Sequence, residues 1–186
     1  LLAQWAVAPV TSPTLLRDAP KLLLNPSSPL FMKWAYFPKL LPWLSQYLSH
    51  ANDVATRRIV SNLIPILSDA VEQHKSLVRG TDLERWVCDS KFSYAYPSKA
   101  HFEADAYAWR MKKLAGFIPK VITGSDVQDC EPILGSRTQC LAVLEGQGHI
   151  TNPGEYIAEL TRYFAKNGGK FVQAEVRDFQ KKDGHI

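Results

Sequence analysis

The sequence predicts an α+β (mixed α/β) fold: a largely antiparallel sheet with helices packed on one side. Apolar residues recur at helical spacing in the stretches 27–49, 52–79, 98–114 and after Asn152. Between and after them lie runs of strand length, at 86–97, 119–123, 140–145 and 171–176. Helices come first, then strand, helix, strand, strand, helix, strand, an order that suits a mixed layer fold rather than a bundle or a sandwich.

The first stretch, 1–29, is rich in Pro, Thr and Ser, with loop punctuation at both ends and room for a short helix at 15–24. The stretch 27–49 reads as helical, with interruptions expected at Pro38 and Pro42. Leu30, Trp34, Phe37, Leu40, Leu41, Trp43, Leu44, Tyr47 and Leu48 make it unusually apolar and aromatic. Such a stretch suits core or domain packing, and it also suits a membrane or partner interface, where Trp and Tyr beside Lys are favoured.

Asn52 or Asp53 can cap a longer helix to Arg79, with Gly80 as its stop and Pro65 as a kink. Val60, Leu63, Leu67, Ala70, His74 and Leu77 trace its apolar stripe. In the strand 86–97, Phe92, Tyr94 and Tyr96 share one face, and Ser93 and Ala95 the other. Ser98 caps a helix to Leu114 that stops at Gly116. A short strand at 119–123 follows, then a helical turn from Ser125 to Glu131-Pro132. The strand 140–145 is expected to break at Gly146 and Gly148. The segment from Gly148 to Val176 then reads as turn, helix and strand. Asn152 is its N-cap, Pro153 its first helical residue and Glu155 a capping-box carboxylate; Gly168 and Gly169 form its stop.

Composition narrows the function classes. With 186 residues, 46% hydrophobic and 22% charged, the chain can bury a core and is not of disordered composition. Its formal net charge of +4 is mild, and the basic pairs Arg57-Arg58, Lys112-Lys113 and Lys181-Lys182 read as solvated surface. No aromatic-basic RNA motif or zinc-finger spacing occurs, which argues against nucleic acid. Cys88, Cys130 and Cys140 are odd in number and widely spaced, which favours reduced thiols in the cytoplasm and argues against a metal site. The apolar N-terminus LLAQWAVAPV has no basic flank and is too short to span a bilayer. The chain does not begin with Met, and a fragment of a longer protein is expected.

GHITNPGEYIAELTRYFAKNGGKFVQAEV resembles a segment of the FAD-dependent glycine/D-amino-acid oxidase superfamily, most of all bacterial D-amino-acid dehydrogenases. Members have a strand ending in Gly-x-x-x-(Asp/Asn)-Pro, a helix, and a strand ending in Val that returns to the flavin domain. APVTSPTLLRDAPKLLLNPSSPLFMKWAYFPKLLPWLSQYL resembles the family's approach to its substrate domain, and DVQDCEPIL its Glu-Pro element. The order of these motifs covers nearly the whole chain.

The resemblance implies a substrate (cap) domain at 30–150. Before it, 1–29 is a linker from a missing FAD-binding domain of the same protein, and after it, 151–186 returns toward that domain. It implies FAD as cofactor and an amino acid or amine as substrate, oxidised from amine to imine with hydride passing to the flavin. It implies flavin contacts near Ala6 and Val7, where relatives carry a small-residue run and this chain reads Ala3-Gln4-Trp5-Ala6. It also implies an adenine contact at the backbone of Val176. No Gly-x-Gly-x-x-Gly turn is present, so the isolated chain is expected to be inactive.

Substrate-side candidates come from residue chemistry. Tyr94 and Tyr96 pair a ring with a hydroxyl on one strand face, and His149, in a Gly-rich turn, titrates near neutrality in its ordinary form. Each also suits a purely structural place. No residue is assigned to catalysis. Three alternatives stand beside the D-amino-acid enzyme: a flavin amine dehydrogenase for another substrate, a non-catalytic binding module, and a module docking peripherally on the inner membrane.

Overall fold

The computed structural model describes residues 1–9, 12–14 and 34–183. The short helix expected at 15–24 and the start of the 27–49 stretch lie outside the described residues. A 3-10 turn, Trp34–Tyr36, leads into helix α1, Phe37–Ser49. The expected interruptions are absent. Pro38 falls in the first turn, where a backbone N–H has no partner to lose, and the helix continues through Pro42 at the cost of one bond near its start.

The stretch 52–79 forms two helices, α2 (Asp53–Leu67) and α3 (Ala70–Val78), rather than one kinked helix. Asn52 Oδ1 caps α2 by accepting from the Ala55 N–H at 2.9 Å. Pro65 stands in the last turn of α2, and the break follows at Ser68 and Asp69. The break lets each helix aim its own stripe: Val60 packs with Val7 and Met111, while Val78 packs with Leu83 and Tyr156.

A second 3-10 turn, Asp82–Trp86, delivers strand β1, Val87–Tyr96. Strands β2 (Lys120–Thr123) and β3 (Cys140–Ile150) complete a sheet of order β1-β3-β2, antiparallel throughout. The α+β class and the antiparallel sheet are therefore as the sequence predicts. On the side of β2, the Leu2 N–H donates to the Gly148 carbonyl at 2.7 Å and prolongs that edge.

Strand β3 does not end at Gly146. It runs to Ile150 through a bulge, where Glu145 and Gly146 together face Lys91 of β1. Gly146 has φ +69°, a left-handed conformation that only glycine adopts cheaply. Ladder partners resume as Ser90 with Gln147 and Cys88 with His149. His149 is thus a strand residue, not a turn residue.

Helix 98–114 is likewise two helices, α4 (Lys99–Ala104) and α5 (Ala106–Leu114), joined at Asp105. Their layer covers the sheet face that carries Tyr94, Tyr96, Ala142 and Leu144. The helical cover extends onto the other face. There α6 (Asp126–Cys130) places Val127 against Leu141 and Val143. Farther along, α3 and α7 (Pro153–Lys166) enclose Val87 and Ile150 through Val78 and Tyr156.

Helix α7 has the expected ends. Asn152 Oδ1 accepts from the Glu155 N–H at 3.2 Å, and Pro153 opens the helix. The Gly168 N–H reaches the Ala165 carbonyl and the Gly169 N–H reaches the Phe164 carbonyl, the paired bonds of a Schellman stop. The strand expected at 171–176 does not form: this run is exposed and has no ladder partner among the described residues. A strand needs a neighbour for its backbone groups, and alternation alone supplies none.

Candidate functional site

The ring-bearing face of β1 is where the chemistry collects. Period-two alternation places Phe92, Tyr94 and Tyr96 on one side, and α5 lays Trp109 across them. The Tyr94 ring meets the rings of Trp5, Phe92 and Trp109 edge-on, each at 5.1 Å between centroids. Trp5 lies tilted over Phe92 at 4.5 Å. The Tyr96 hydroxyl donates to Asp105 Oδ2 at 2.8 Å and accepts from Trp109 Nε1 at 2.9 Å. Burial pushes both tyrosines well above the ordinary phenol range, and the Asp105 carboxylate adds to the shift. Both are neutral hydrogen-bonding groups at physiological pH.

Lys112 enters this box from α5. It is only 5% exposed. Its Nζ stands 4.8 Å from the Trp109 ring centre, 4.9 Å from Tyr94 and 5.8 Å from Trp5. Burial lowers its pKa, and the Asp105 carboxylate only partly opposes this. Helical spacing explains the placement: Asp105, Trp109 and Lys112 fall on one stripe of the chain's helical turns, while the adjacent Lys113 is exposed.

Farther along the same face, Ser90 and Gln147 sit opposite each other across the ladder, followed by Cys88 and His149. Gln147 is buried, and its amide nitrogen donates to the Glu145 carbonyl at 3.1 Å. Its Oε1, the Ser90 Oγ and the Trp5 Nε1 are buried with no hydrogen-bond partner among the described residues. Each such group costs about 1–3 kcal/mol in an apolar interior.

The structure brings Tyr94 and Tyr96 together with Trp5, Trp109 and Lys112. His149 shares their face but lies beyond the bulge, half-buried. Val7 is fully buried against Val60 and Met111, whereas Ala6 is exposed. Val176 stands in the exposed 171–176 run, not in a buried strand. Lys112, Gln147 and Ser90 escape the sequence reading because nothing local marks them as buried. The signal present is the spacing of Lys112 from Trp109.

The described residues do not fit FAD unaided. The spaced glycine pair Gly146 and Gly148 lies inside β3 and is laddered to β1, rather than forming a turn that opens a helix. No cluster of metal-ligating residues occurs among the described residues. The cysteines are unpaired: Cys140 is buried, which raises its thiol pKa, Cys88 half-buried and Cys130 exposed.

No family model matches the chain, and no solved structure does. Curated relatives do. A D-amino-acid oxidase of Bradyrhizobium diazoefficiens is 29% identical over 175 residues, 94% of this chain and 41% of that protein. A D-amino acid dehydrogenase of Helicobacter pylori strain J99 is 24% identical over 192 aligned positions, covering the whole chain and 44% of its own length. Another from the same species is 25% identical over the same span. The chain thus spans less than half the length of the relatives it matches. Over nearly its whole length, the curated relatives of this chain are D-amino-acid oxidases and dehydrogenases.

Proposed function

We propose that this chain is the substrate-side part of an FAD-dependent oxidoreductase that oxidises D-amino acids from amine to imine. The observation that carries the reading is the end-to-end similarity to one oxidase and several dehydrogenases of D-amino acids. The order of motifs along the chain supports it. The described residues contribute a sheet, an aromatic face and neutral hydroxyl groups, which orient and shield a substrate. They offer no cradle for the pyrophosphate of FAD, so the cofactor is held by residues outside this set, with 30–150 as the cap and 151–186 as the return. The three unpaired cysteines favour a cytoplasmic setting.

The test is direct. The intact protein is purified, its flavin absorbance recorded, and its reduction followed with D-alanine, L-alanine, sarcosine and proline. Flavin bleaching by D-alanine alone is expected. A colourless protein that takes up no FAD overturns the reading, and bleaching by sarcosine or proline moves the substrate class.

A second reading rests on α1. None of its residues is buried, Trp43 and Leu41 are exposed, and the Trp43 and Tyr47 rings stack at 4.9 Å. No described helix is long and apolar enough to cross a membrane. A peripheral lipid contact is the corresponding proposal. Cosedimentation with anionic vesicles, weakened several-fold by Trp43→Ala, is the expected result; equal recovery of both proteins without vesicle dependence removes it.

A further inference from the structure

Strand β1 is a long edge. Among the described residues it pairs with β3 along one side, and no strand pairs with the other. It holds no proline, and the extra residue of the bulge belongs to β3, so β1 itself runs regularly from Val87 to Tyr96. Proteins blunt such edges with proline, bulges or short length, because a free row of backbone groups invites another strand. Charge also guards an edge, except against a strand that carries the matching charge. On β1 the charges are Asp89 and Lys91, opposite in sign and two residues apart.

Both lie on the sheet face away from the rings. Asp89 meets Lys75 of α3 at 2.7 Å, and Lys91 meets Glu145 of β3 at 3.2 Å. The Asp89 side chain is 71% exposed and that of Lys91 66%, so each is open to a further partner. An antiparallel second copy of β1, set with Ser90 opposite Ser90, puts Asp89 opposite Lys91 and Lys91 opposite Asp89. The row across the pair then runs Lys75, Asp89, Lys91 of the second copy and Glu145 of the second copy, alternating in sign, and the two-fold axis repeats it. A slip of two residues keeps the faces but sets Asp89 against Asp89, or Lys91 against Lys91. The ring face agrees with the same register. There the two Ser90 hydroxyls meet, each buried and with no hydrogen-bond partner among the described residues, and a hydroxyl both donates and accepts.

We infer that β1 is the interface between two copies of this chain, paired edge to edge in the antiparallel register centred on Ser90. The free backbone groups supply the attraction, and the exposed charges set the register more than the strength. The inference rests on β1 and is independent of the function proposed above.

The test is the mass of the intact protein in solution, measured by light scattering after gel filtration from about 1 to 100 µM. A monomer–dimer equilibrium is expected. Asp89→Lys and Lys91→Asp each set like charges across the axis, and each is expected to weaken the dimer about ten-fold or more. An equimolar mixture of the two variants is expected to recover it, because opposite charges meet again in the mixed pair. Each variant also loses an ion pair within its own chain, which mixing does not repair, so recovery reports contact between copies. Circular dichroism checks folding. If either variant is unfolded, Ser90→Cys carries the test: oxidised glutathione is expected to join two copies through position 90, located by peptide mass mapping. A wild-type monomer throughout the range, a dimer that both folded variants leave unchanged, no recovery on mixing, or no link through Ser90→Cys overturns the inference. Slow amide exchange along β1 in a monomer overturns it too, since the edge is then covered within one copy.

Discussion

Lys112 shows how one side chain ties stability to chemistry. A cation drawn largely out of water among rings is costly, so Lys112→Met is expected to stabilise the chain at pH 7 by about 1 kcal/mol. The sign with pH follows from the lowered pKa. In the unfolded chain the amine keeps its proton up to its ordinary value of 10.5, while in the fold it loses it earlier. Between those two points the unfolded state binds more protons, so wild-type stability rises with pH and the advantage of Met shrinks. Tyr94 and Tyr96 act in the opposite direction above pH 10, because burial delays their ionisation and the unfolded state releases protons first. Urea midpoints at pH 7 and 9.5 for both proteins check this; a constant difference would contradict it.

At this scale the sequence was partly legible. Alternation alone put Tyr94 and Tyr96 on one face, and there they are. The same text made Lys112-Lys113 a solvated pair. Adjacent helix residues point about 100° apart, so one of the two falls under the sheet and the other into water. Which one depends on where the helix is rotated, and that is fixed by Trp109 and the sheet.

Among the elements, Glu159 is a clamp. From α7 it accepts from Arg85 Nη2 and from Trp86 Nε1, each at 2.6 Å, and so fastens the turn that launches β1. Glu159→Gln keeps the shape but weakens both charge-assisted bonds. A loss of about 1–2 kcal/mol is expected by thermal melting, with a shift in emission from the freed Trp86 indole. Helix ends were readable because their chemistry is local: Asn152 caps α7 and Gly168 stops it, as their types demand. Features set by a neighbour were not. Phe171–Val176 alternates without a partner edge, and Gly146 breaks nothing because β1 holds the strand on both sides of it. Asp105 divides a helix that periodicity alone would continue.

For the whole molecule, protection should follow the sheet order. Strand β3 is paired on both sides along Cys140–Val143 and contributes the fully buried Leu141, Ala142 and Leu144. Among the described residues strand β1 is paired on one side alone, and α1 has no buried residue. Amide hydrogen exchange is expected to be slowest in β3 and fast in α1 and residues 168–181, by several orders of magnitude. Equal protection of α1 and β3 would mean that α1 is packed in solution. The class of the fold was legible from periodicity because burial imposes it everywhere; the layering was not, because which face each helix covers depends on long-range contacts.

The bulge at Gly146 exchanges the two faces of β3. Before it, even-numbered residues such as Ala142 and Leu144 face the rings; after it, odd-numbered Gln147 and His149 do, while Ile150 joins Val78 and Tyr156 behind the sheet. One glycine thus works as a parity switch. Lineages that lose or gain a single residue here would keep the strand and its length, yet present a different set of side chains to the ring-lined face. Length variation at this position, more than substitution around it, is the change that would re-specify what the face recognises.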